Sequence, residues 1–149
     1  MRVLSWDPGQ TTGWCYQNPQ KILSFGETTD LKTFLKEWDL KAQPVDYVVV
    51  EGYRIRQGTV SMNVGIPLVT VENIGRIKYW SELNDIPVQE YLPDKKPTQW
   101  KATGVKVDKS VPKNQTHRLD AFNHGRFFLI EKKLAPTALE EQMRKDGLL

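Results

Sequence analysis

Two short apolar runs that each end in an acidic residue constrain the fold of this chain most. Residues 3–6 lead into Asp7, which opens an Asp-Pro-Gly turn, and residues 47–50 lead into Glu51. Apolar runs of this length, bounded by turn residues, are typical of buried strands. The second run contains three valines in succession, so we expect a strand that is covered on both faces.

The other segments complete a mixed α/β fold of order βββαβαβα. The Asn18-Pro19 turn predicts a hairpin, so that the first three strands of a five-stranded mixed sheet are antiparallel and helices flank the sheet. Apolar residues at helical spacing between 31 and 38 predict the first helix, capped by Thr29 or Asp30. The other predicted elements are strands at 3–6, 12–16, 21–26, 45–51 and 88–92, and helices at 67–83 and 117–133, the last capped by Thr116.

Length and composition indicate one globular domain. The 149 residues are 39% hydrophobic and 26% charged, which is typical of a folded chain with a sizeable core. We expect one folded domain at 1–133 and a short charged tail at 134–149. There is no apolar stretch long enough for a bilayer and no signal peptide, and Cys15 is the single cysteine. These features predict an intracellular, reducing compartment and no membrane partner.

Positive charge is concentrated in one part of the chain. The formal net charge is only +3, but seven basic residues face two acidic ones between Asp94 and Arg118. A solvated lysine-rich loop is the simpler interpretation. If the acidic strand ends form a metal site, a surface that binds a polyanion such as nucleic acid fits better. The residues expected to bind nucleic acid, from this part of the chain and from the segment after Glu51, are Arg54, Arg56, Gln57, Lys95, Lys96, Lys106, Lys109, Lys113 and Arg118. Such contacts predict binding that weakens steeply with salt.

His117 and Asp120 lie three residues apart at the start of the last predicted helix, so their side chains share one face. They also fall in the first turn, where free N–H groups favour anions such as phosphate. Together with Asp7 and Glu51, they can converge on a divalent cation. This pattern predicts metal-dependent hydrolysis of a nucleic-acid phosphodiester. His124 falls near the same stripe, and we expect it to support a ligand or face solvent.

Each of these residues also has a purely structural interpretation. Asp7 before Pro-Gly can be a turn residue, and Glu51 before Gly52 can simply end a strand. His117 can cap the helix or face solvent, and Asp120 can be a helix N-terminal charge. The joint occurrence of all four in this order of elements favours a site.

The motifs resemble the RuvC-type Holliday junction resolvases of the ribonuclease H-like superfamily. The resemblance covers residues 1–131, which implies a ribonuclease H-like nuclease domain at 1–133. The short length is similar to that of phage-encoded members, which implies the cytoplasm of a bacterial or phage-infected cell. Its parts are the Asp-Pro-Gly strand end at Asp7, the strand that ends at Glu51, the segments 72–76 and 99–104, and the His-x-x-Asp-Ala ending at His117.

The resemblance implies a function and a set of site residues. It implies a homodimer that resolves Holliday junctions and related branched DNA by paired nicks, leaving 5′-phosphate and 3′-hydroxyl ends. The helix that contains Gly75 is the expected dimer contact, and Lys101 is expected to contact the scissile phosphate. Arg54 stands where the family has an aromatic wedge, so we expect Tyr53 to stack on the junction instead. The implied metal ligands are Asp7, Glu51, His117 and Asp120.

The ion that the resemblance and the ligand types imply is Mg²⁺, and the softer histidine ligand predicts that Mn²⁺ substitutes. Two other functions compete with a junction resolvase. One is a nuclease of the same fold that acts on structured RNA, as the YqgF-type rRNA-processing proteins do. The other is a non-catalytic protein that binds branched DNA. The His-x-x-Asp spacing and the basic segment favour the resolvase, and four chemically competent ligand positions argue against a non-catalytic role.

Overall fold

A five-stranded mixed sheet forms the centre of the computed structural model, which describes residues 1–53, 68–105 and 116–149. The strands, in the spatial order β3-β2-β1-β4-β5, are β1 (Val3–Asp7), β2 (Thr12–Gln17), β3 (Ile22–Thr28), β4 (Tyr47–Glu51) and β5 (Val88–Tyr91). β1 pairs with β2 and β2 with β3 in antiparallel orientation, whereas β1 pairs with β4 and β4 with β5 in parallel. The predicted mixed sheet with three antiparallel leading strands is confirmed.

Five α-helices are present in the described part of the chain. Asp30 caps the first, because its carboxylate accepts a hydrogen bond from the Thr33 N–H at 3.2 Å, as predicted. The third helix follows a short 3₁₀ turn at Pro93–Lys95 and was not predicted. None of these helices is both long and apolar enough to cross a membrane. The helices are α1 (Leu31–Glu37), α2 (Leu68–Leu83), α3 (Lys96–Thr103), α4 (His117–Glu131) and α5 (Ala138–Lys145).

The fifth helix lies in the segment that we expected to be only a charged tail. Thr137 accepts a hydrogen bond from the Glu140 N–H, and the Glu140 carboxylate accepts one from the Thr137 N–H, which forms a capping box. Arg126 of α4 forms an ion pair with Glu141 at 3.5 Å. The C-terminal segment is therefore helical and connected to α4.

Hydrophobic residues cover both faces of the sheet. Successive residues of a strand point to opposite faces, so β1 and β4 each contribute to two cores. On one face, Leu4, Trp6 and Val50 pack against α1 and α2. On the other face, Val3 and Val49 pack against α4. The expectation that β4 is covered on both faces is confirmed.

Close packing fixes the position of α4 on the sheet. A Cβ at Gly125 would lie 2.4 Å from the Gln17 side chain and 2.5 Å from that of Ser5. The Gln17 amide also donates a hydrogen bond to the Phe122 carbonyl at 3.1 Å. Because only glycine allows this approach, the helix lies directly over β1 and β2. The first turn of α4 is thereby held at the end of β1, where Asp7 lies.

Candidate metal and nucleic-acid site

The acidic residues at the ends of two neighbouring strands lie together. Asp7 ends β1 and Glu51 ends β4, and the two strands pair in parallel with Trp6 opposite Val50. Both carboxylates lie on the sheet face that α4 covers. One ligand atom each from Asp7, Glu51 and His124 lies within 4.8 Å of the others, and all three residues are buried. The structure thus brings the two predicted strand-end acids to one point.

His117 reaches Asp7 from the first turn of α4. Its Nδ1 lies 2.8 Å from Asp7 Oδ2. Gly13, which pairs with Asp7 in the sheet, makes this approach possible, because a Cβ at Gly13 would lie 2.1 Å from the His117 carbonyl group. The side chain of His117 remains about one-third exposed, so the site is open on this side.

Lys96 of α3 connects the remaining acid to the cluster. Its Nζ lies 3.1 Å from Glu51 Oε2 and 3.4 Å from Asp120 Oδ2. We expected Lys96 to bind nucleic-acid phosphates and Lys101 to contact the scissile phosphate. Lys101 is exposed on the surface of α3, and its role stays a prediction. Lys96 is thus the lysine that the structure places at the carboxylates.

A buried hydrogen-bonded pair, His124 and Gln99, lies beneath these residues. Of the two roles expected for His124, contact with a predicted ligand agrees with the structure, and exposure to solvent does not. His124 is 1% exposed, and its Nε2 lies 2.9 Å from Glu51 Oε2. Its Nδ1 lies 2.8 Å from Oε1 of Gln99, which is fully buried on α3. The spacing of His124, four residues after Asp120, was the available sequence signal. Gln99 gave no signal, because only the tertiary contact between α3 and α4 reveals its role.

Burial and the contacts between charged side chains shift the pKa values of this cluster. Burial raises the pKa of Asp7 to about 6 despite the opposing effect of its hydrogen bond to His117, and the charge of Glu51 adds to the rise. Burial alone would also raise the pKa of Glu51, but the hydrogen bond and charge of His124 lower it to about 2. The hydrogen bond to Asp7 raises the pKa of His117. Burial alone would lower the pKa of Lys96, but the nearby carboxylates, Glu51 first, raise it.

These residues fit a divalent cation. Asp120 Oδ1 is buried and has no hydrogen-bond partner in residues 1–53, 68–105 and 116–149. A buried carboxylate oxygen without a partner is costly, and a cation would satisfy it. Carboxylate oxygens with an imidazole nitrogen suit Mg²⁺ or Mn²⁺. Asp7 and Glu51 offer ligand atoms at one point, and Lys96 is their counter-charge. His117 contacts Asp7, and Asp120 contacts Lys96, so the assignment of these two residues as ligands stays a prediction.

The residues expected to bind nucleic acid are placed in different ways. Lys95 is exposed near the site, whereas the Arg118 guanidinium lies over the ring of Phe25, 5.5 Å from its centroid. Tyr53 is partly buried and packs against the core on the α1 and α2 side. The other predicted residues lie outside the described part of the chain: Arg54, Arg56, Gln57, Lys106, Lys109 and Lys113.

The chain has the ribonuclease H-like fold found in Holliday junction resolvases. A RuvC from T. thermophilus in complex with a Holliday junction substrate matches with TM-score 0.60 and 17% identity, over 92% of this chain and 99% of that chain. A Thermus thermophilus RuvC structure matches with TM-score 0.59 and 16% identity over the same shares. A Fowlpox virus resolvase in complex with Holliday junction DNA matches with TM-score 0.50 and 15% identity, over 89% of this chain and 99% of that chain. No protein-family model and no curated protein matches the sequence.

Proposed function

We propose that this chain is a metal-dependent endonuclease that resolves four-way DNA junctions and related branches. Paired hydrolytic nicks would leave 5′-phosphate and 3′-hydroxyl ends, in the cytoplasm of a bacterial or phage-infected cell. The observation that supports this most is the convergence of Asp7, Glu51 and Asp120 around Lys96, with one buried Asp120 oxygen left without a partner in the described chain. Two structural neighbours with this fold are bound to Holliday junctions.

The side chains of the site have distinct tasks in this proposal. Asp7 and Glu51 hold the ion from rigid strand ends, and His117 and Asp120 complete its ligands from the first turn of α4. A bound Mg²⁺, or Mn²⁺ in its place, would activate the attacking water and stabilise charge on the phosphate. Lys96 provides a positive charge for the phosphate, and the free N–H groups at the start of α4 attract it as well.

The exposed face of α2 supports a homodimer. Ile74 and Ile77 of this helix are buried, but the opposite face carries Val71, Tyr79 and Leu83, which are 48%, 62% and 63% exposed. Gly75 lies on this exposed face, and no described atom lies within 4 Å of the position that its Cβ would occupy. An apolar helix face with a central glycine fits the close approach of a second copy. A dimer of this kind would present two sites for two nicks.

The experiment is cleavage of end-labelled substrates with Mg²⁺, Mn²⁺ or EDTA. The substrates are a four-way DNA junction, a fork, a duplex and a structured RNA of similar size. We expect metal-dependent, symmetric nicks in the junction, with ends that ligase joins directly. Asp7→Asn is the matched control, which should bind the junction without cutting it. Preferred cutting of RNA would favour the RNA nuclease, and binding of the junction without cutting by wild type would favour the non-catalytic protein.

A further inference from the structure

His124 occupies a position that the four expected metal ligands do not explain. It lies in α4 seven residues after His117 and four after Asp120, so the three side chains share one face of the helix. Unlike His117, it is buried beneath the site and is 1% exposed. Its two ring nitrogens both have partners, Glu51 on one side and Gln99 on the other. This is the arrangement of a fixed side chain, not of a histidine that simply fills space.

Gln99 holds the His124 ring through a hydrogen bond to Nδ1, so that Nε2 faces the site. The Gln99 carbonyl oxygen lies 2.8 Å from Nδ1, so Nδ1 carries the hydrogen in this arrangement. Nε2 then faces Glu51 Oε2 at 2.9 Å. Without an ion, a proton between these two atoms makes the hydrogen bond to Glu51 described above, and a divalent ion can take the place of that proton. A carbonyl that holds Nδ1–H is also the usual support of a metal-bound histidine.

We propose that His124 Nε2 is a further ligand of the metal ion, adjacent to Glu51 and held in place by Gln99. The inference rests on the proposed metal-dependent function and adds a ligand to it. Two ligand atoms about 2.1 Å from one ion at a right angle lie about 3.0 Å apart, and Nε2 and Oε2 are 2.9 Å apart. Asp7 offers the third atom, with all three atoms within 4.8 Å of one another.

A buried nitrogen ligand predicts a change in metal preference. Imidazole suits transition ions, whereas Mg²⁺ prefers oxygen ligands and keeps several waters. We therefore expect His124→Gln to weaken Mn²⁺ binding by about tenfold or more, and Mg²⁺ binding by less. Gln99→Leu, which removes the carbonyl that holds Nδ1, should weaken Mn²⁺ binding by about tenfold. Circular dichroism and the unfolding midpoint serve as folding controls for both variants.

The decisive test is pulsed electron paramagnetic resonance of bound Mn²⁺, which detects directly coordinated nitrogen. The chain contains two histidines, so in His117→Gln the sole remaining imidazole is that of His124. Spectra are recorded for this variant and for wild type, each grown with ¹⁴N- or ¹⁵N-histidine. We expect an isotope-dependent nitrogen modulation in His117→Gln, and a smaller modulation in His124→Gln than in wild type.

The outcomes separate this inference from the proposed function. Bound Mn²⁺ without an isotope-dependent signal in His117→Gln, or a signal unchanged in His124→Gln, would mean that His124 only orients Glu51 by a hydrogen bond. The inference would then be overturned, while metal-dependent cleavage would stand. If wild type binds no Mn²⁺ at millimolar concentration, the proposed function fails and the ligand assignment fails with it. Should His117→Gln bind no Mn²⁺, wild type and His124→Gln decide the question.

Discussion

The two faces of the central sheet are packed with different chemistry, although the same strands supply both. On the α1 and α2 face, β1 contributes Leu4 and Trp6 to a core that includes an edge-to-face contact between Trp6 and Phe34 at 5.4 Å. On the α4 face, the alternate residues Ser5 and Asp7 are equally buried but polar. The α4 face thus combines a hydrophobic core with buried polar groups near the strand ends, and the burial of these polar groups is the cost of holding the site.

The difference shows how a short chain can build a site without a separate domain. Successive residues of a strand point to opposite faces of the sheet. The residue before each strand-end acid can therefore pack into the core on the opposite face and fix the position of the acid. Val50 and Glu51 repeat the relation of Trp6 and Asp7. Substitutions on the α1 and α2 face should therefore change mainly the free energy of unfolding, and those at the strand-end acids mainly metal binding and cleavage.

The largest expected effect is on cleavage by Asp7→Asn. We expect junction cleavage to fall at least about 10³-fold, with stability unchanged or increased. The pKa of Asp7 is raised to about 6 in the folded protein, so the folded state loses stability as pH rises from the ordinary carboxyl pKa through 6. Above pH 6 the buried anion is unfavourable, and asparagine removes it. Cleavage assays and urea unfolding at pH 7.5 measure both quantities, and a loss of stability above about 2 kcal/mol would contradict the account.

The neighbouring substitution Trp6→Ala tests the other face. Trp6 is fully buried, and its removal should lower the free energy of unfolding by about 3–5 kcal/mol. The folded fraction should still bind Mn²⁺ with an affinity close to that of wild type, because the Trp6 side chain points to the sheet face opposite the carboxylates. Urea titration and Mn²⁺ titration of the same samples provide the comparison. Loss of metal binding without loss of stability would show that the two faces are not separable.

Gly13→Ala should damage the site through the backbone. A Cβ at this position overlaps the His117 carbonyl group, so the first turn of α4 must shift away from Asp7. We expect Mn²⁺ affinity and cleavage to decrease about 10–100-fold and stability to decrease by about 1–3 kcal/mol. Titration calorimetry and unfolding measure these effects. Wild-type metal affinity in a folded Gly13→Ala protein would mean that α4 is not held by this contact.

The pH dependence of metal binding tests the electrostatics of the α4 face. A proton on Asp7 with a pKa of about 6 must leave when the ion binds, so Mn²⁺ affinity should rise with pH through this range. In wild type the rise should continue above pH 6.5, because His117 is also a proposed ligand and its pKa is raised from 6.5. His117→Gln is the control, since it removes the other group with a raised pKa. A profile that is flat between pH 5 and 7 in both proteins would contradict the assignment to Asp7.

The smallest effect is expected for Gly75→Ala, because Gly75 is on the exposed side of α2 and contacts neither face of the sheet. Alanine replaces a mid-helix glycine with no described neighbour within 4 Å, so the monomer should gain about 0.5–1 kcal/mol of stability. The added methyl group should weaken dimerisation if α2 is the contact. Sedimentation equilibrium measures the dimer affinity, and unfolding of dilute protein measures the monomer. A dimer of unchanged affinity would exclude Gly75 from the interface.

Local sequence patterns predicted most of the fold. A run of valines predicts the strand that ends at Glu51, and Asp30 before a helical pattern predicts a cap. The structure contains both the strand and the cap. The helix α3 was missed because it is mostly polar and buries only Gln99, so its place depends on tertiary contact. The helix α5 was missed although the capping box of Thr137 and Glu140 is a readable signal.

The site was only partly visible in the sequence. Acids at strand ends can be predicted to meet once the strands are taken as neighbours, and the structure places Asp7 and Glu51 together. The choice between Lys96 and Lys101 depends on where α3 begins and how it turns toward β4, which no local pattern defines. The Gln99–His124 pair joins residues 25 positions apart and exists only in the folded molecule.

The central claim is that side chains distant in sequence bind one divalent ion at the ends of β1 and β4. The most direct measurement is an anomalous difference map from crystals that contain Mn²⁺. The account predicts one strong peak about 2.0–2.3 Å from oxygens of both Asp7 and Glu51, on the α4 side of the sheet. A Mn²⁺ peak elsewhere, or no peak in crystals whose Asp7 and Glu51 carboxylates lie apart, would contradict it.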